Sequence, residues 1–553
     1  MKTTDIATIA IVILAAVAAA PFLGAYMKRV YSGERHPLTF LGRFEALFYR
    51  AIGIDAEKGM DWKEYAISLL AFSASSIILL FLILLCQGFL PFNPQKLPGF
   101  RWDLALNTAV SFVTNTNWQA YSGEASASYF SQAAGLAAQN FLSAAAGMSA
   151  AVAIIRGLAS KASLGNFWVD MTRSVLYILL PLALVLSIAL VSQGVVQSLS
   201  GYVPSVSLEG KAELIPMGPA ASQIAIKHLG TNGGGFFGPN SAFPFENPTP
   251  LSDILEMIAQ ILIPFAFPFL FGSMLKDRKQ GRVIFLVMLA LLAAAIAASV
   301  YSELAWGSME GKELRFGKAS SSLFSVLTTV TSSGAVNAMH DSLSPLSGMV
   351  AMFDIMIGEV VFGGVGSGLY GMLALVIVTV FIAGLMVGRS PEYLGKRIEA
   401  REIELSMIAI ILPSFLILGL GALAVSLPSA LSSLANGGPH GLSEILYAYS
   451  SGAGNNGSAF GGLAANTLFY NATLALAMLI GRFGVMIPML GVSGSLAAKK
   501  AAAQGVGSLR TDGAIFGLLL AFVVLIVAGL THFPALTLGP ILEHFLMLKG
   551  FLL

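Results

Sequence analysis

Ten apolar runs, each long enough to cross a hydrocarbon layer, dominate this chain and leave few folds open to it. A spanning helix needs about 20 predominantly apolar residues, and runs of that order lie near residues 6–26, 64–90, 130–157, 171–197, 252–275, 282–303, 353–388, 403–427, 468–490 and 513–531. Only 11% of the 553 residues are charged and 56% are hydrophobic, whereas soluble domains carry about 25% charged residues. A soluble core with a single anchor is excluded. The expected fold class is an all-α integral membrane protein with ten transmembrane helices in one membrane domain, 1–553.

The net charge of +2 is spread over short loops, so no basic patch marks a nucleic-acid partner. The distribution speaks instead about topology. Loops after spans one, three, five, seven and nine hold Lys28, Arg29, Arg35, Arg43 and Arg50; Lys161; Lys276, Arg278, Lys279 and Arg282; Arg389, Lys396, Arg397 and Arg401; and Lys499, Lys500 and Arg510. The positive-inside rule makes these loops cytoplasmic and puts both termini outside. The first span, preceded by a weak charged region and no clear cleavage site, is expected to be a retained helix. A lone Cys86 excludes a disulfide framework and a cysteine metal site.

Loops on the opposite side, after spans two, four, six and eight, share one design: a short amphipathic stretch, then a Thr/Ser/Asn/Gly cluster. The clusters are Val113-Thr114-Asn115-Thr116-Asn117, Gly230-Thr231-Asn232-Gly233-Gly234-Gly235, Thr331-Ser332-Ser333-Gly334-Ala335 and Gly454-Asn455-Asn456-Gly457-Ser458. The stretches before them, Asp103 to Phe112, Ser222 to Leu229, Ser321 to Thr328 and Ser443 to Tyr449, are too short to span and suit re-entrant pore helices capped by their first residues. Four parallel pore repeats follow, 64–157, 171–275, 282–388 and 403–490, with 1–63 and 491–553 as peripheral helices and loops. Parallel repeats of two crossings each can close around an axis along the membrane normal.

A dehydrated potassium ion needs oxygens in place of its water, and consecutive backbone carbonyls supply them when neighbouring residues tolerate φ > 0. Gly does so freely and Asn more readily than most residues. The first repeat carries Asn117 where the others have glycine. No acidic ring accompanies the clusters, which favours carbonyl over carboxylate selectivity. Any one cluster could be an ordinary surface turn; four, each behind a short helix at roughly one hundred to one hundred and twenty residue spacing, argue for a device. No phosphate-binding loop, intramembrane catalytic triad or helical metal motif occurs, so an enzyme is not expected. Glu124, Asp341 and Glu246 follow the clusters and either concentrate cations or are simply solvated. Trp118, Phe236 and Phe237 either buttress the walls or anchor at the lipid interface, and His228, His340 and His440 read as loop or packing residues.

The seventh span is abnormal, because Gly358-Glu359-Val360-Val361-Phe362-Gly363-Gly364-Val365-Gly366-Ser367-Gly368-Leu369-Tyr370-Gly371 places six glycines in an apolar run. A continuous helix is not expected there, and the segment is either a gating constriction or a close-packing motif. Glu359 at that depth is a functional candidate, with Arg482 its expected partner and Arg389 either an inner-boundary marker or part of the same network.

Phe112 to Gln119, Thr231 to Phe237 with Phe245-Glu246-Asn247-Pro248-Thr249, Ala338-Met339-His340-Asp341-Ser342, Gly358 to Gly371, Pro391-Glu392-Tyr393-Leu394-Gly395 and Asn456 to Phe460 resemble the potassium-binding KdpA family of the Kdp potassium-transporting ATPase. The resemblance runs from span one to span ten. It implies a potassium-transporter-superfamily fold, K+ as the bound and transported ion, and a bacterial or archaeal plasma membrane. It also implies partners: lipid, the P-type ATPase component KdpB fed through an intramembrane tunnel, and the small components KdpC and KdpF. Carried over, the filter positions are Thr116, Asn117, Asn232, Gly233, Ser333, Gly334, Asn456 and Gly457, supported by Asn115, Gln119, Thr231 and Gly234. Register in the first repeat stays open, since Thr114-Asn115 could also align with Thr231-Asn232. The gating and tunnel positions are Glu359, Gly363, Gly364, Gly366, Gly368, Arg389 and Arg482. No Asp-Lys-Thr-Gly phosphorylation motif is present, so the chain is expected to be a non-catalytic member of such a complex. The alternative is an autonomous Trk- or Ktr-like channel or uptake protein.

Overall fold

The computed structural model describes residues 2–159, 163–500 and 510–550. Ten helices within them are long and apolar enough to cross a membrane: Thr3–Tyr31, Trp62–Phe89, Ser131–Leu158, Phe167–Ser192, Pro250–Met274, Arg278–Trp306, Ser367–Met386, Ala400–Val425, Leu468–Ala498 and Ala514–Leu548. Their starts are written in the sequence. Asp61 accepts from the backbone of Lys63 and Glu64 while Glu64 reaches back, a capping box, and Asn166, Thr249 and Asp277 cap the next turns in the same manner.

Two boundaries differ from expectation. The tenth span runs past residue 531 to Leu548 as two helical pieces, Ala514–Leu536 and Leu542–Leu548, joined across a kink at Gly539 and Pro540. The seventh span is two helices, Pro345–Met356 and Ser367–Met386, separated by an irregular segment over 357–366. Five residues in that segment, Gly358, Glu359, Phe362, Gly363 and Gly366, have positive φ, which no helix accommodates.

Four shorter helices enter from one face: Trp102–Val113, Ala220–Leu229, Gly317–Val330 and Gly438–Gly454. We number these pore helices one to four. They begin upstream of the expected caps, so Asp103, Ser222, Ser321 and Ser443 lie inside the helices and cap none of them. Asp103 instead pairs with Arg101 and accepts from Asn471 Nδ2 at 2.9 Å.

The basic loops gather at the opposite face. Lys28 and Arg29, in the last turn of span one, line a recess of about 850 Å³ with Lys276, Arg278, Lys279 and Asp512. Lys396, in a two-residue hairpin, donates to the terminal carbonyls of two spans, Gly157 at 2.9 Å and Leu496 at 2.6 Å. Lys161 lies outside the described residues.

Near this face the bundle is tied by a buried ion pair. Arg156 on span three holds both oxygens of Asp170 on span four, at 2.6 and 2.8 Å, and donates also to the carbonyls of Tyr31 and Leu164. Removing one partner of a buried pair strands the other charge and costs about 3–5 kcal/mol. Arg156→Met is therefore expected to lower the unfolding midpoint of the purified protein clearly, while Arg156→Met with Asp170→Leu recovers most of the loss. A thermal unfolding curve of both variants checks this.

Candidate cation filter

Each pore helix ends in the same turn. The residue after the last helical turn has a left-handed backbone, Asn115 (φ 66°), Thr231 (φ 50°), Ser332 (φ 51°) and Asn455 (φ 59°). The next N–H then reaches back five residues: Thr116 to Ser111, Asn232 to Lys227, Ser333 to Thr328 and Asn456 to Ser451, all at 2.8–3.0 Å. This is the six-to-one bond of a Schellman ending. It aligns the four segments without reference to side chains and sets Asn115, not Thr114, opposite Thr231. Thr116, Asn232, Ser333 and Asn456 form one layer, and Asn117, Gly233, Gly334 and Gly457 the next.

The two layers meet closely. A Cβ on Gly233 would lie 2.7 Å from the carbonyl oxygen of Thr116 and 3.0 Å from that of Asn456. One on Gly334 would overlap the Asn456 oxygen, and one on Gly457 the Thr116 oxygen. Gly334 (φ 77°) and Gly457 (φ 98°) are also left-handed, as is Asn117 (φ 55°). Glycine is needed for space in three quarters, and for conformation as well at Gly334 and Gly457. Several polar atoms here have no protein partner although buried: both ends of the Asn117 amide, Asn232 Oδ1 and the Ser333 hydroxyl. Above them opens a vestibule of about 600 Å³ lined by Asn117, Gln119, Gly233, Gly334 and Gly457. Pore-helix C-termini, each with about half a negative charge, point at the same spot.

Side chains lace the ring together. Asn115 Nδ2 donates to the carbonyls of Gly230 and Thr231 at 3.2 and 2.9 Å, and its Oδ1 accepts from Asn232 Nδ2 at 2.7 Å, joining segments one and two. Asn455 Nδ2 donates to Thr116 Oγ1 at 2.9 Å, joining four to one. Asn456 Nδ2 donates to the Thr328 carbonyl at 2.9 Å, joining four to three.

Between segments two and three the broken span takes over. Thr231 Oγ1 accepts from the Val365 N–H at 3.1 Å, the Ser332 hydroxyl donates to Glu359, and Gly363 N–H donates to the Val330 carbonyl at 2.9 Å. Gly364 sits in the seam, where a Cβ would be 3.2 Å from Ser332 Cβ and 3.3 Å from Thr231 Oγ1. Phe362 pins the segment from behind by stacking on Phe265, with ring centroids 3.9 Å apart. Gly366 packs against the backbone of span three at Gly147, and Gly368 against the Phe362 carbonyl.

The expected partners Glu359 and Arg482 are near enough for their charges to interact but, among the described residues, make no direct salt bridge; Arg482 donates to the Ser143 carbonyl at 3.2 Å and lies against Gly147, on the span-three side of the segment. Arg389 is exposed beyond the end of Ser367–Met386, a helix about 30 Å long at 1.5 Å per residue. The acidic trio is not free either. Glu246 pairs with fully buried Lys227, Glu124 accepts from the Gly238 N–H at 2.7 Å, and Asp341 contacts His440. Burial pushes the Glu124 carboxyl above its ordinary value, which further weakens any role as a fixed anion.

Gln119 accepts from the Gly235 N–H at 3.1 Å, so it braces segment two at the vestibule. Gly234 lies beside Phe112 and the Asn117 carbonyl. Trp118, Phe236 and Phe237 are buried and act as wall packing, not lipid anchors. Two contributors escaped sequence reasoning. Lys227 Nζ donates to Asn240 Oδ1 at 2.6 Å, and Asn240 Nδ2 donates to the Gly233 carbonyl at 2.9 Å. A lysine one turn before a Gly/Asn cluster was the available signal.

The family model described as the potassium-transporting ATPase A subunit matches residues 10–545. A potassium-transporting ATPase potassium-binding subunit of Pseudomonas aeruginosa is 54% identical over 540 residues, covering 95% of this chain and 96% of the relative. One from Leptospira interrogans is 53% identical over 541 residues, covering 96% of each. Among solved structures, the potassium transporter TrkH of Vibrio parahaemolyticus superposes with a TM-score of 0.52 at 14% identity, covering 88% of this chain and 98% of that one. That likeness concerns the fold alone, and it matches the four membrane-pore-membrane units seen here. With its family model matched over nearly the whole length, the chain belongs to the potassium-transporting ATPase A subunit family.

Proposed function

We propose that this chain is the potassium-binding and translocating component of an ATP-driven uptake complex. The observation that carries the proposal is the convergence of four left-handed helix endings on one layer of carbonyls, with glycine wherever a side chain would fill the centre. Backbone oxygens of Thr116, Asn232, Ser333 and Asn456, with those of Asn117, Gly233, Gly334 and Gly457, replace the ion's water. Potassium enters from the vestibule, which faces the outside of the plasma membrane.

The segment over 357–366 lies across the inner end of this ring. It prevents free passage straight through, so the ion leaves sideways within the membrane to a P-type ATPase partner that supplies the energy. Small subunits complete the complex. Glu359, next to the Ser332 hydroxyl and near Gly454, is the polar group an ion would meet on leaving the ring.

The test uses a bacterium lacking its own potassium uptake, grown at micromolar potassium. Growth is expected when this chain is co-expressed with the ATPase and small subunits, and not with this chain alone. Growth on this chain alone would overturn the pump-component assignment in favour of an autonomous channel.

A further inference from the structure

We propose that Asp341, His440 and Glu444 form a binding site for a divalent transition-metal ion, of the zinc class, beside the vestibule. The three come from two elements. His440 and Glu444 are four residues apart on pore helix four and so share a face. Asp341 lies in the turn after segment three, its backbone N–H held by the Phe460 carbonyl at 2.8 Å. One ligand atom from each falls within 4.8 Å of the other two, which small side-chain rotations reduce to the spacing of ligands about 2.0–2.2 Å from one zinc ion.

Two independent features point to a cation ligand. Glu444 is 1% exposed, and while its Oε1 accepts from the Asn436 backbone and Nδ2 at 3.2 and 2.9 Å, its Oε2 has no partner. A buried carboxylate oxygen without a donor is costly, and a metal ion would satisfy it. The second feature is the orientation of His440. Its Nδ1 lies 2.8 Å from Glu543 Oε1 on the last helix, which leaves Nε2, 3.1 Å from Asp341 Oδ1, directed into the group. A carboxylate behind the far ring nitrogen is the usual support of a metal-bound histidine, fixing the tautomer and raising basicity.

Charge agrees with this. Asp341, Glu444 and Glu543 surround one imidazole, an ion at Nε2 would displace the proton that Nε2 shares with Asp341, and among the described residues no lysine or arginine pairs with any of the three carboxylates. Mixed imidazole and carboxylate donors select zinc-like ions over calcium or magnesium, which prefer oxygen alone. Bound there, an ion would join the turn after segment three to pore helix four and, through Glu543, to the end of span ten.

Metal-stripped full-length protein in detergent, titrated with Co2+, tests the site. The wild type is expected to develop visible d–d absorption that Zn2+ displaces, and Zn2+ should raise its unfolding temperature. His440→Gln and Glu444→Gln should each abolish the absorption, whereas Glu543→Gln should retain it with affinity about 10–100-fold weaker. Absence of the band in wild type overturns the proposal without any variant having to fold. A band that persists in His440→Gln or Glu444→Gln places the ion elsewhere and overturns it too.

Discussion

Gly334→Asp is expected to raise the potassium concentration for half-maximal uptake by on the order of 100-fold, and to narrow the preference for potassium over sodium. Three costs add. A non-glycine residue in the left-handed region costs roughly 1–2 kcal/mol, and Gly334 has φ 77°. The new Cβ would overlap the Asn456 carbonyl oxygen and come within 2.8 Å of Gly233 Cα, an overpacking cost of about 1–3 kcal/mol. With about 1.4 kcal/mol per tenfold, these two terms alone reach the stated loss. The carboxylate also adds a full charge to a ring of dipoles. Uptake kinetics with potassium and competing alkali ions in the assembled complex measure it. Unchanged affinity and discrimination would remove the third segment from the ion path.

Gly363→Val should abolish coupled uptake. Gly363 is left-handed (φ 61°), and any Cβ there would overlap the Glu359 carbonyl oxygen and lie 2.6 Å from the Gly368 nitrogen. Valine adds β-branching at a position where that is a genuine outlier, so the segment must shift. Its N–H bond to Val330 at 2.9 Å would then break, and with it the support under segment three. We expect potassium-stimulated ATP hydrolysis to fall by at least about tenfold, equivalent to about 1.4 kcal/mol. Hydrolysis that continues in the variant without net potassium uptake would locate the defect in delivery and not in folding. Wild-type uptake would mean the segment does not shape the ion path.

Much of this architecture was legible in the sequence because it rests on local rules. Apolar length marked the spans, and dense glycine at 358–371 marked the break. The Gly/Asn clusters marked the turns, since few other residues accept a left-handed backbone. Thr231 and Ser332 follow a different logic. Neither residue type favours that conformation, and their partners, Val365 and Glu359, come from a segment distant in sequence. Tertiary contacts decide such positions.

Charge partners were the least legible. Glu359 and Arg482 both lie at membrane depth, which invited pairing, yet the irregular segment turns them to different neighbours. Pore-helix starts were misplaced because Asp103, Ser222, Ser321 and Ser443 resemble caps, whereas the helices begin at Trp102, Ala220, Gly317 and Gly438. The His440 group went unseen because only the pair at 440 and 444 is local; Asp341 and Glu543 are about one hundred residues away on either side.

The lacing of the ring is unequal, and that inequality gives it a hinge. Three seams are closed by asparagine side chains that belong to the ring itself, and each would survive a rearrangement below. The seam between segments two and three is closed by a guest. Withdrawal of the 357–366 segment would remove the Val365 donor from the Thr231 hydroxyl and the Glu359 acceptor from the Ser332 hydroxyl together, and with them the contacts that hold two unfavourable backbones in place. Half of the ring would then relax while the other half stayed fixed. If the ring holds the ion as proposed, its grip would loosen from one side only, in step with whatever moves the segment underneath.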